Sequence, residues 1–168
     1  MKNLSAQVSI NKLKELVGSE PICFFGDQLN QQPIITRRMS ILKVDDRGNV
    51  WFMSSIMSSR NAKIKRNNEA QLFYLNTPTY EFPNVLGHAT IHTERGKFLA
   101  MWAPFARARF KDGEDAADTS LIKIAPQSAY YWDTENNKMI SVIQMSASTV
   151  ADSGLDNGVE GTLKVLQI

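Results

Sequence analysis

Four apolar positions near the start of the chain, Ile10, Leu13, Leu16 and Val17, recur at helical spacing, and Gly18 with Pro21 supplies a stop. That pattern predicts a short amphipathic helix within residues 1–18. Beyond it the period changes. Pro21 to Phe25 is a brief apolar run, and Ile34 to Val44 alternates as a long strand does. Asp45-Asp46-Arg47-Gly48-Asn49 is a hairpin turn in which Gly48 or Asn49 can take a positive φ, and Val50 to Ser54 is the returning strand. Asn61 to Asn67 predicts a brief helix. Ala70 to Leu75 and Val85 to Thr93 predict strands, with Gly87 marking a bulge in the second. Glu94 to Ala108 has a helical pattern broken by Pro104, and the acidic stretch Lys111 to Thr119 predicts a loop. Ser120 to Ala125 and Ser128 to Trp132 predict two strands parted by Pro126, and Met139 to Met145 predicts another. Small and polar residues from Ser146 to Gly161 suggest an excursion, after which Thr162 to Ile168 returns to a strand-like pattern. Six to eight strands joined mostly by hairpins predict a mainly β protein, an antiparallel β-barrel with short helices. One domain over 1–168 is expected, with the N-terminal helix at one end and residues 146–168 as a C-terminal extension.

Composition narrows the chemistry. The 168 residues are 43% apolar, with 19 basic against 17 acidic side chains and a net charge of +2. That balance is too mild to predict nucleic-acid or membrane binding, so any anion site must arise from local arrangement. Cys23 stands alone within Ile22-Cys23-Phe24-Phe25, which excludes an intramolecular disulfide and predicts a buried structural thiol. The first residues lack an apolar signal core, and no stretch approaches the ~20 apolar residues that span a bilayer. A soluble cytoplasmic protein is the expectation.

Arg37 is the oddest position in the strand pattern. In an extended chain it shares a face with Ile35, Met39 and Ile41, which puts a permanent charge among apolar side chains. A guanidinium buried there needs an anion. A protein carboxylate or an exposed edge strand would also account for it. The segment Ser54-Ser55-Ile56-Met57-Ser58-Ser59-Arg60 then leads into the brief helix. Hydroxyls and free backbone N–H groups at a helix start suit a phosphate. Arg60 lies in the first turn, where a cation is disfavoured unless an anion is bound. The plainer alternative is that Ser59 caps the helix while Arg60, Lys63, Lys65 and Arg66 form a solvated face. Through the hairpin, Arg37 and Arg60 can converge on one phosphate.

These residues resemble the pyridoxamine 5'-phosphate oxidase-like split barrels, and within them the general stress protein 26 group. The strand motif Ser-Arg-Pro-Met of that family corresponds to Thr36-Arg37-Arg38-Met39, its Phe-Thr strand to Trp51-Phe52-Met53-Ser54, and its Ser-x-Lys turn to Ser58-Ser59-Arg60. Gln71-Leu72-Phe73-Tyr74, the loop from Trp102 to Asp115 and Ala129-Tyr130-Tyr131-Trp132-Asp133 are also similar. The likeness runs from about Leu13 to Met145. It implies FMN as cofactor, held by Arg37, Arg38, Met39, Ser40, Met53, Ser54, Ser59 and Arg60. It further implies a homodimer with the flavin in a cleft between subunits, approached by Trp102 or Phe110 of the partner. The implied function is a flavin-dependent oxidoreductase acting on an unidentified small molecule. The alternative is a non-enzymatic binding module for a flavin, haem or another anionic ligand. Arg38 stands where the family has proline and Arg60 where it has lysine, and Tyr80 to Asn84 interrupts a usually smooth strand. After Met145 there is no Arg-x-His of the kind that grips substrate in true pyridoxamine phosphate oxidases, so that reaction is not expected. No residue is singled out as a catalytic acid or base.

The remaining features carry less. His88 and His92 share a strand face but would stand ~13 Å apart, so no metal site is expected. The basic residues Arg60, Lys63, Lys65 and Arg66 would serve a nucleic acid only weakly in a chain this near to neutral. Phe73-Tyr74 and Tyr130-Tyr131-Trp132 read as core and interface.

Overall fold

The computed structural model describes residues 6–18, 22–75, 81–101, 118–133, 138–144 and 165–166. The N-terminal helix α1 spans Ala6–Gly18. Its four periodic apolar residues, Ile10, Leu13, Leu16 and Val17, are all buried. Full burial of a leucine contributes about 1.5–3 kcal/mol, so this one face is enough to dock a short helix.

The strands follow as β1 (Ile22–Asp27), β2 (Thr36–Val44), β3 (Val50–Ser55), β4 (Glu69–Phe73), β5 (Asn84–His92), β6 (Thr119–Asp133), β7 (Lys138–Gln144) and β8 (Val165–Leu166). A second helix, α2 (Ser59–Arg66), links β3 to β4, and residues 95–101 are helical after β5. The order across the sheet is β3-β2-β1-β4-β5-β6, and β6 pairs back onto β3. Six antiparallel strands therefore close into a barrel, the split-barrel architecture, with β7 and β8 continuing beyond β6. Closure removes free edges from those six strands. Among the described residues no helix is long and apolar enough to cross a membrane.

Alternation decides what lies inside. Cys23 and Phe25 of β1, Met39 and Ile41 of β2, Phe52 of β3, Ala70 and Leu72 of β4, Val85 and Ala89 of β5, and Ile122 and Ile124 of β6 point inward and form the core. Phe25 and Phe52 meet edge to face with ring centroids 5.5 Å apart. A smaller cluster of Trp51, Phe98 and Leu121 packs on the outer side of β3 and β6 under the 95–101 helix.

Two local details explain the connections. Gly48 takes φ 80° in the β2–β3 hairpin, as the turn residues predict, and there it lies against Ile10 and Leu13 of α1. Asp45 organises this turn, accepting from the backbone N–H groups of Arg47 and Asn49 and from Trp51 Nε1 at 2.9 Å.

The expected break at Pro126 is corrected: β6 runs unbroken from Thr119 to Asp133. Proline cannot donate to a ladder. It sits instead opposite Gly87, beside the point where the β5–β6 register shifts. A Cβ on Gly87 would lie 2.4 Å from the Ala125 carbonyl oxygen, so glycine lets the two backbones close at this bulge. The helix expected over Glu94 to Ala108 is seen across 95–101, and its remainder lies outside the described residues, as does 111–117 of the acidic loop.

Candidate functional site

The β2–β1 register pairs Arg37 with Phe25, both on the inward face near one end of the barrel. Arg37 itself is exposed, as are Ile34 and Ile35 before it, so the barrel face opens toward solvent here. That removes the desolvation cost expected of Arg37. The cost falls on Arg60 instead. Its guanidinium lies over the Phe25 ring, 5.5 Å from the centroid, and among the described residues its buried Nε has no hydrogen-bond partner. Burial, and then the nearby Arg37 charge, pull the Arg60 guanidinium below its ordinary value, with Asp27 and Cys23 acting in the opposite sense. Arg60 is thus half-buried on an aromatic ring, with the exposed Arg37 close enough for its charge to be felt. The Arg37 charge adds to the cost of burying Arg60.

The neighbouring turn is built to hold Arg60 there. Ser58, in an extended conformation, is the N-cap of α2, and its Oγ accepts from the Asn61 backbone N–H at 3.2 Å. The first-turn N–H groups of Ser59 and Arg60 have no intrahelical acceptor by geometry, which leaves donors beside the two arginines. Ser54 Oγ meets Ser58 Oγ at 2.9 Å. Asn61 Nδ2 donates to Ser120 Oγ at 2.8 Å and to the Ser55 carbonyl at 3.1 Å, and Ser120 Oγ donates to the Ser54 carbonyl at 3.1 Å. This buried polar network clamps the start of α2 to β3 and β6. Neither Asn61 nor Ser120 stood out in the sequence, because single polar residues give no signal until a fold brings them together.

The other residues implied by the resemblance fall in different surroundings. Met39 is buried opposite Cys23 in the core. Arg38 and Ser40 lie on the outer face, paired with Phe24 and Ile22, and both are exposed. Met53 packs on the outer cluster of Trp51, Phe98 and Leu121. Ser54 is buried within the network, and Ser59 is exposed in the first turn of α2. Trp102 and Phe110 lie outside the described residues. Ser54 and Ser59 therefore lie at the start of α2 with Arg60, Arg37 acts on Arg60 from β2, and Arg38, Ser40 and Met53 face outward.

Sequence reasoning missed Asp27 and left Lys63 as a solvated charge. Asp27 continues the inward alternation of Cys23 and Phe25, and its carboxylate accepts from Lys63 Nζ at 3.3 Å. The signal was present in that alternation, but the strand was expected to stop at Phe25. Below Arg60, Cys23 is buried as expected. Burial pushes its thiol up to about 12, against smaller opposing effects of the Tyr74 hydroxyl and the Arg60 charge.

His88 and His92 are separate. His92 lies against Trp51 with ring centres 5.2 Å apart, while among the described residues His88 Nδ1 has no hydrogen-bond partner.

Comparison with known proteins decides the family. The family model described as pyridoxamine 5'-phosphate oxidase like matches residues 8–156. The chain belongs to the pyridoxamine 5'-phosphate oxidase-like family. Solved structures agree on the fold. A protein from Clostridium acetobutylicum related to general stress protein 26 superposes with TM-score 0.66 at 19% identity, covering 82% of this chain and 95% of that one. General stress protein 26 from Bacillus anthracis gives TM-score 0.58 at 16% identity, covering 73% and 92%. A pyridoxamine 5'-phosphate oxidase-related, FMN-binding protein from Nostoc punctiforme gives TM-score 0.69 at 10% identity over the whole of both chains. None of the curated proteins compared with the chain matches it.

Proposed function

We infer that the protein binds FMN, with the terminal phosphate between Arg37 and Arg60 at the start of α2. The observation that carries this is the buried Arg60 Nε, unpartnered among the described residues and set near a second guanidinium. Such a pair is costly alone and well matched to a phosphate, which accepts bidentate hydrogen bonds from both groups. Membership of a pyridoxamine 5'-phosphate oxidase-like family and the fold shared with an FMN-binding protein support FMN over other phosphorylated ligands. Ile34 and Ile35, shortly before Arg37, and Met57, shortly before Arg60, are exposed apolar side chains that could serve an aromatic ring.

Bound FMN would supply electron and hydride transfer, so the activity proposed is that of a flavin-dependent oxidoreductase on a small molecule, in the cytoplasm. The chain's own part is to bind the phosphate, fix the cofactor's position and set the charge around it. A homodimer is also proposed. Ile22 and Phe24 stand side by side on the outer face of β1, 38% and 44% exposed, a surface a second copy can cover. Light scattering of the purified protein tests this, with a dimer expected and a monomer contradicting it.

Titration of purified protein with FMN, followed through flavin fluorescence and visible absorption, tests the central proposal. Saturable binding of FMN is expected. Protein that leaves the flavin signal unchanged at high concentration would overturn it.

A further inference from the structure

Asp27 ends β1 on the face that carries Cys23 and Phe25, and its side chain is only 7% exposed. A carboxylate in that position is costly unless paired. Its partner is Lys63, with Nζ 3.3 Å from Oδ1. Lys63 lies three residues after Arg60 in α2, so the two side chains leave neighbouring points of one helix face. Lys63 pairs with Asp27, whose charge also acts on Arg60, and Arg37 acts on Arg60 in turn, so one carboxylate offsets one of three neighbouring positive charges. Two remain. A phosphate monoester carries about −1.5 to −2 at pH 7, so two free guanidinium groups match one terminal phosphate. A released Lys63 would add a mobile third cation able to reach a second phosphate.

We propose that Asp27 sets the specificity of the anion site, holding Lys63 away from the ligand so that the site takes one phosphate monoester and disfavours phosphoanhydrides. The assignment rests on the anion-binding role proposed for Arg37 and Arg60. It differs from a purely stabilising ion pair in the sign of its effects. Removing the Asp27 charge frees a cation and strengthens anion binding. Removing the Lys63 charge leaves an unpaired carboxylate facing the ligand and weakens it.

Calorimetric titration with inorganic phosphate and with pyrophosphate, on the full chain and three variants, tests this. Asp27→Asn is expected to tighten pyrophosphate about tenfold, and phosphate by less, as one unit charge at close range in an intermediate dielectric would do. Lys63→Gln is expected to weaken both anions about tenfold, on the same estimate. The double variant returns close to the original affinities. Should Asp27→Asn fail to fold, the loss in Lys63→Gln and its recovery in the double variant still decide the matter. If the unaltered protein binds phosphate and Asp27→Asn leaves the pyrophosphate-to-phosphate ratio unchanged, or if both single variants weaken binding alike, the role of Asp27 is wrong and the anion site stands. If the unaltered protein binds neither anion, both are wrong.

Discussion

Single residues in this protein are defined by where burial and charge coincide. Cys23 is the simplest case. It is 2% exposed and its thiol is pushed up to about 12, chiefly by burial, so almost none is thiolate at neutral pH. An aromatic disulfide reagent is expected to leave it untouched in the native protein and to modify it fully in denaturant. Rapid native modification would contradict that burial. Asp45 gives a pH dependence. Burial works against its charge, but bonds from Trp51, Asn49 and the backbone of Arg47 and Asn49 prevail and hold its carboxyl below the ordinary 3.8. A group depressed in the folded state stabilises it above the unfolded value and loses that contribution as pH falls through the folded one. Melting temperature should thus fall more steeply below about pH 4 in the native protein than in Asp45→Asn. Parallel curves would show that Asp45 does not contribute. Arg60 differs from both, being a half-buried charge whose Nε has no hydrogen-bond partner among the described residues.

At the scale of elements, caps and bulges decide where the chain turns. Helix α2 begins because Ser58 accepts the Asn61 N–H and is itself fixed by Ser54. Ser58→Ala should cost about 1 kcal/mol in chemical denaturation, as loss of an N-cap does. No change in the midpoint would mean that the cap is dispensable. Gly87→Ala should cost roughly 1–3 kcal/mol, because the added methyl meets the Ala125 carbonyl and backbone cannot yield as a side chain can. A variant as stable as the parent would contradict the close approach. These elements also mark the limit of what the sequence showed. Helix α1 and the Gly48 hairpin were legible because apolar period and turn chemistry agree. The start of α2 was expected two residues late, since a run of serines offers several caps and only packing selects one. Pro126 misled because its compatibility with β6 depends on Gly87, a residue far away in sequence.

For the whole molecule, closure of six strands turns a local pattern into a site. Arg37 and Arg60 are 23 positions apart in sequence. The β2–β1 register and the packing of α2 on β1 bring both to Phe25. The strand alternation made Arg37 conspicuous, and the serine-rich turn did the same for Arg60. Asn61 and Ser120 were not legible, because their partners come from other elements, and Asp27 was missed because β1 runs two residues past the expected end. The barrel is shared with relatives in the family, and the charges at its mouth are what the proposed phosphate site rests on. The most direct test compares FMN with riboflavin, which lacks the phosphate, in the native protein and in Arg37→Ala/Arg60→Ala. FMN affinity should fall on the order of a hundredfold, the loss of two charge-assisted hydrogen-bonding groups, while riboflavin affinity changes little. Equal losses for the two ligands would contradict the phosphate site.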